Sequence, residues 1–89
     1  MRFKVEGATS VAPTTTGTAT TVESASEVSV FNNSTTAYAV AILTAASGTV
    51  VGNVTVAGGE RLTLVKSPSH AMYSVNAAVM FTPVNTKVI

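Results

Sequence analysis

The chain has 89 residues, a net charge of +1 and 10% charged residues, far below the roughly 25% typical of globular domains. It contains no Cys, no Asp and a single His, so the parts for a zinc or iron site, a Ser-His-Asp triad or a cysteine nucleophile are missing. Valine and threonine, with 15 copies each, are β-branched and favour strands. We expect one all-β protein that is not an enzyme, with no catalytic residue, metal, cofactor or small-molecule substrate.

The N-terminus predicts a short strand. Apolar and charged residues alternate over residues 2–6, as in an amphipathic strand, and Gly7 ends it. No apolar stretch of the kind found in a signal peptide follows. We therefore expect a protein that is made in the cytoplasm and has no signal peptide.

Residues 8–26 consist almost entirely of Ala, Thr, Ser and Val. Such a segment cannot offset its ordering entropy by burying large side chains of its own. It is either a flexible linker or an extended arm on a neighbouring subunit, since Thr-rich extended segments add readily to sheet edges. We divide the chain into an N-terminal strand and Thr/Ala-rich arm, residues 1–26, and a compact body, residues 27–89.

The body shows strand-like apolar patterns separated by Gly, Asn and Pro turns. The predicted strands cover residues 28–31, 37–44, 49–56 and 61–66. Residues 72–74 begin the return, and residues 75–84 form the last strand or pair of strands. Gly52 indicates a bulge or bend, residues 57–60 predict a hairpin turn, and Pro83 should stop its strand or lie at an edge. The fold expected is a small antiparallel β-sandwich or open barrel of about six or seven strands.

The residues that could carry chemistry are isolated. His70 is expected to be a surface residue or an interface hydrogen-bonder. Glu23 and Glu27 would lie about 13 Å apart on one strand face, too far for a glycosidase carboxylate pair, and are expected to be solvated.

The basic residues argue against nucleic-acid binding. They are scattered and expected to be surface charges rather than the cluster that phosphate binding needs. They are Arg2, Lys4, Arg61, Lys66 and Lys87. The longest apolar run, Ala37–Leu43, has strand length, so no membrane-spanning helix is expected.

Several turn motifs follow one another in a recognisable order. After an Arg-Phe-Lys-Val start and a Thr/Ala-rich stretch come a strand ending in Asn32-Asn33, a turn at Gly48, the sequence Ala57–Glu60 (Ala-Gly-Gly-Glu) and a corner at Lys66–Pro68. This layout resembles the small β-sandwich virion structural proteins of tailed phages, particularly those of cyanobacterial hosts. The resemblance covers residues 2–66 and implies a structural role on the particle, with no catalytic residues.

Low charge supports the same interpretation, because a sparsely charged small domain tends to associate. We expect a capsid decoration or cement protein, located in the virion and bound at repeated sites on the major capsid protein. A neck or tail accessory protein of the same particle is the close alternative. Either would be a homo-oligomer or a multi-copy component contacting other virion proteins. A surface- or carbohydrate-binding β module is a third possibility. Such modules usually present an aromatic platform, and Tyr38 and Tyr73 are the only tyrosines in this chain.

Overall fold

The computed structural model describes residues 4–85, whose strands form two antiparallel sheets. The first sheet has the order β1–β8–β3–β6, with β2 also on β8, and the second has the order β5–β4–β7. The predicted sandwich is confirmed in place of the open barrel. The elements in chain order are β1 (Lys4–Val5), β2 (Ser10–Val11), a 3-10 helix (Thr16–Thr18), β3 (Glu27–Asn32), β4 (Tyr38–Leu43), β5 (Val50–Val56), β6 (Arg61–Val65), β7 (Ala71–Ser74) and β8 (Val79–Asn85).

The core lies between the sheets and consists mainly of valines. Strands β3 and β8 of the first sheet face β4 and β7 of the second, and Phe81 is the largest fully buried side chain. Burying a valine or phenylalanine side chain contributes roughly 1.5–3 kcal/mol, so this small cluster supplies most of the hydrophobic stabilisation. The clustered buried residues are Ala12, Val22, Val28, Val30, Val40, Val56, Met72, Val79 and Phe81.

The turn at residues 57–60 forms, but it is not the hairpin that the sequence predicts. The Glu60 N–H donates to the Ala57 carbonyl at 3.0 Å, and Gly59 has a φ of 76°. However, β5 pairs with β4 and β6 pairs with β3, so the turn joins the two sheets. Strands β5 and β6 both direct apolar side chains into the shared core. Turn residues reverse the direction of the chain, but they do not determine which strands pair afterwards.

Asn32 fastens two of these sheet-to-sheet connections together. Its side chain is fully buried, and Nδ2 donates to the carbonyls of Thr36 at 2.8 Å and Val56 at 2.9 Å. The Ser34 hydroxyl donates to Asn32 Oδ1 at 2.8 Å, and the Asn32 N–H donates to the Glu60 carbonyl at 3.0 Å. One amide thus joins the β3–β4 connection to the β5–β6 connection.

The predicted arm packs against its own chain. Ala12 and Val22 are buried in the core, and Thr20 exchanges two backbone hydrogen bonds with Met72 of β7, at 3.0 and 2.7 Å. No strand was predicted within this segment, but β2 lies inside it and pairs with β8. Although residues 8–26 have few large side chains, the backbone hydrogen bonds that they make to β7 and β8 let two small apolar residues anchor them.

A left-handed turn brings Val22 into the core. Val22, Glu23 and Ser24 have φ values of 53°, 59° and 58°, a conformation that costs L-residues roughly 1–2 kcal/mol each. Side-chain caps support the turn, because the Thr20 hydroxyl accepts from the Val22 N–H at 3.1 Å and the Thr21 hydroxyl from the Ser24 N–H at 3.2 Å. The burial of Val22 offsets part of the strain.

Pro83 lies inside a central strand, contrary to the prediction of an edge or a stop. Its carbonyl accepts from the Glu6 N–H at 2.7 Å, and the nitrogen of a strand residue points to the same side as its carbonyl. On that side the partner strand is interrupted between β1 and β2, so no ladder donor is lost. Gly7 lies in the gap, where an added Cβ would be 2.9 Å from Pro83 Cγ.

The last predicted strand, residues 75–84, is divided. Residues 75–78 form the turn from β7 to β8 instead, and only Val79–Asn85 is a strand. Asn76 stabilises this turn, because its Oδ1 accepts from the Ala78 N–H at 2.8 Å and its carbonyl from the Val79 N–H at 3.3 Å. The alternation of apolar residues hid a turn that the Asn side chain specifies.

Candidate interaction surface

The residues with catalytic potential do not come together. His70 lies half-buried in the turn before β7, with its N–H donating to the Ser67 carbonyl at 2.9 Å. Over residues 4–85, no group of three or more His, Cys, Asp and Glu side chains could share a metal ion. The surface itself is therefore the feature to consider.

The two central glutamates differ in environment. Glu23 is exposed on the left-handed turn, whereas Glu27 is 5% exposed. The prediction of two solvated charges is wrong for Glu27, because β3 lies between β8 and β6 in the first sheet. The two residues also do not share one strand, so their predicted spacing does not apply.

Lys66 is likewise buried, at 7% exposure, and is not the surface charge predicted. Its Nζ donates to the carbonyls of Ala25 at 2.6 Å and Ser67 at 3.3 Å. Burial lowers the pKa of Lys66 below its ordinary value of 10.5, because desolvation disfavours the charged form. The lysine thus fastens the end of the N-terminal segment to the body.

The other described basic residues lie apart. Lys4 is on β1 and Arg61 on β6, at opposite edges of the first sheet. The Arg61 guanidinium donates to the Ser29 hydroxyl at 2.6 Å and lies 5.0 Å from the centre of the Phe31 ring. Arg2 and Lys87 fall outside the described residues. Lys4, Arg61 and Lys66 form no basic stripe of the kind that binds a phosphate backbone.

A polar cleft of about 340 Å³ lies between the N-terminal segment and the end of β8. Its walls include the side chains of Glu6 and Glu23, together with Pro83 and Asn85. Two carboxylates alone do not provide the ligand set of a closed metal site. The cleft is bounded by the same segment that Lys66 holds in place.

The two tyrosines lie on opposite faces of the second sheet. Tyr73 pairs with Ala41 and so shares its face, whereas Tyr38 lies three residues from Ala41 in the same strand and faces the core. Side chains alternate between faces along a strand. Tyr38 and Tyr73 therefore do not form one aromatic platform.

One side of the sandwich has open sheet edges. Strand β5 ends the second sheet and β6 ends the first, and no other described segment pairs beyond them. Val50 and Val51 on β5 are 49% and 56% exposed, and Val65 on β6 is 76% exposed. On the opposite side, β1 and β2 pair with β8, while residues 13 and 20 bond to β7.

An apolar cleft of about 150 Å³ opens between these two edges. It is lined by Val40 and Ile42 of β4, Gly52 and Val54 of β5, and Leu64 of β6, together with Asn53. A Cβ added at Gly52 would meet nothing within 4 Å. The cleft therefore exists partly because position 52, which shares the inner face with Val54, has no side chain.

Gly52 also adjoins the predicted bulge, which is confirmed. Ile42 pairs with Gly52 and Leu43 with Val50, so Val51 is an extra residue in the β5 ladder. A bulge bends its strand and increases the local twist. Here it exposes both Val50 and Val51 at one end of β5.

Comparison with known protein families, with curated proteins and with solved structures finds no match for this chain. In the described part of the chain, no helix has the length and apolar character needed to cross a bilayer. The sequence pattern predicted neither the apolar cleft nor the burial of Glu27 and Lys66. The glycine inside β5 was the signal for the cleft, whereas nothing in the local pattern marked the two buried charges.

Proposed function

We propose that the protein is a structural component of a tailed-phage particle, a decoration or cement protein bound at repeated sites on the major capsid shell. The supporting observation is the open side of the sandwich, where the uncharged strand β5 and the exposed Val65 of β6 leave two sheet edges accessible. Isolated soluble proteins usually protect such edges with charges, proline or covering segments. The sequence layout that resembles virion β-sandwich proteins supports the same role.

The proposed mechanism is adhesion without chemistry. Strand edges offer backbone hydrogen bonds, and the exposed valines offer apolar area to a neighbouring protein. Each contact is weak, but identical contacts repeated over a shell add through multivalency. The major capsid protein is the expected partner.

The packing of residues 8–26 changes which surface would adhere. An arm that reaches across a neighbour is one of the two alternatives for that segment, but it covers the edge of β7 in its own chain through Pro13 and Thr20. The open edges at β5 and β6 take over the role of contact surface in the proposal.

A neck or tail accessory role in the same particle would use the same surface and differs in copy number. A carbohydrate-binding module has less support, because such sites usually present an aromatic platform and the two tyrosines are separated by the sheet. The capsid role therefore remains the preferred proposal.

Sedimentation of particles through a density gradient tests this adhesion. Particles from cells producing the protein are run in low salt and in about 1 M salt, where the Debye length falls to about 3 Å. We expect the protein to stay with the particles in both, because its contact surface is uncharged. Protein that stays at the top of the gradient in both conditions would contradict the proposal.

A variant pair locates the contact. Val65→Lys places a charge on the exposed edge of β6 and should reduce the amount of protein on particles. Ser69→Lys adds the same charge in the exposed turn before β7 and should leave it unchanged.

A further inference from the structure

The outer edge of β5 offers backbone hydrogen-bonding groups to another strand. The Ala39 carbonyl of β4 accepts from the Val75 N–H, on the β7 side. The N–H and C=O groups of successive residues point to alternate sides of a strand. The backbone groups of Val40 therefore point toward β5, and those of its partner Val54 point toward β4. Asn53 and Thr55 then direct their N–H and C=O groups outward, where no described strand pairs with them.

We propose that β5 pairs with β5 of a second copy of this chain, antiparallel about a two-fold axis through Asn53. In this register the two Asn53 residues are opposite each other and exchange their backbone hydrogen bonds. Gly52 of each copy is opposite Val54 of the other. The two second sheets become one continuous sheet with the order β7–β4–β5–β5–β4–β7.

Shape complementarity identifies the occupant as a second copy. Gly52 and Val54 lie on the inner face of β5, and directly opposite residues of antiparallel strands share a face. The second copy's Val54 therefore lies beside the gap at Gly52, with its Cβ about 4.5–5.5 Å from the backbone there. The apolar cleft of each copy receives a valine from the other, and the relation is reciprocal, as a two-fold contact requires.

Charge favours the same arrangement. Strand β5 has no charged residue, so two copies meet without like charges across the axis. Strand β6 carries Arg61, a charge of the kind that protects an edge strand from pairing, and β7 is covered by residues 13 and 20. Among the described edges, β5 is the one suited to pairing with itself.

Disulfide cross-linking tests the register directly, because the chain has no native cysteine. The side chain of residue 53 lies on the axis, and directly opposed hydrogen-bonded residues have Cα atoms about 5.5 Å apart, within the range of a disulfide. Asn53→Cys should form a disulfide-linked dimer under mild oxidation. Thr55→Cys is the matched control on the same face, since the two copies of residue 55 would be about 13 Å apart.

Sedimentation equilibrium of the purified protein tests the contact without cross-linking. The wild type should be a dimer. Asn53→Lys places two ammonium groups opposite each other and should raise the dissociation constant of the dimer by about fivefold. Ser69→Lys should leave it unchanged, and circular dichroism confirms that each variant is folded.

Three results would overturn the inference: a wild-type monomer at high micromolar concentration, equal dimerisation of both lysine variants, or equal cross-linking at positions 53 and 55. If the wild type is a monomer, the open edge of β5 would be available to pair with a different protein. Because these experiments use no particles, the inference can fail without the proposed virion role failing. A β5–β5 dimer would leave the edge of β6, with the exposed Val65, as the surface that contacts the capsid.

Discussion

Replacing Asn32 by alanine should be among the most damaging single changes in this protein. The substitution removes the two hydrogen bonds that Asn32 Nδ2 donates and the one that its Oδ1 accepts from the Ser34 hydroxyl, all made by a fully buried side chain. Each of these three lost hydrogen bonds costs about 1 kcal/mol, so we expect a loss of about 3 kcal/mol. A chain of this size has a free energy of unfolding of about 4–13 kcal/mol.

Urea unfolding followed by far-ultraviolet circular dichroism measures this loss, and the melting temperature should fall by at least about 12 °C. Asn33→Ala is the matched control, because Asn33 is exposed and its backbone N–H, which donates to the Ala78 carbonyl, is retained. If the two variants differ by less than about 0.5 kcal/mol, Asn32 does not fasten the two connections as described. That difference is within the usual range for surface substitutions.

Three further predictions concern the rest of the fold. Gly58→Ala should destabilise the protein, because the added Cβ would lie 2.5 Å from the backbone carbon of Thr35; a melting temperature equal to the wild type's would contradict this. Deleting residues 8–26 should remove Val22 from the core and lower the melting temperature by at least about 8 °C, and a deletion variant that melts like the full chain would show that the segment is dispensable for folding. The lowered pKa of Lys66 means that the folded state binds this proton more weakly than the unfolded state, so the free energy of unfolding should rise as the pH increases toward 10.5. Lys66→Met should lose that rise, as seen in melting temperatures across this pH range, and parallel pH profiles for the two proteins would refute it.

The fold class could be predicted because it depends on residue type and short-range pattern. The many β-branched residues indicated strands, and the turns at residues 45–48 and 57–60 were correctly placed. The strand pairing on either side of residues 57–60 could not be predicted, because a turn determines only that the chain reverses direction. The burial of Val56 against the opposite sheet determines the partner strand. Sandwich topology is a long-range property of the whole core.

The candidate surface was only partly predictable. Low charge indicated a protein that makes contacts, and Gly52 indicated an irregularity in β5. The packing of residues 8–26 against their own chain was not predicted, because the segment looks unable to pack when considered alone. Their hydrogen-bond partners on β7 and β8, such as Met72 and Val79, are far away in sequence. The burial of Lys66 depends on the same distant packing.

The copy number of this chain in purified particles would distinguish a capsid decoration protein from the alternatives. Quantitative mass spectrometry would compare it with the major capsid protein in the same particles. We expect one copy per major capsid subunit or a simple fraction of that number, as repeated lattice sites require. A handful of copies per particle would indicate a neck or tail component, and absence of the chain from the particles would contradict the virion role.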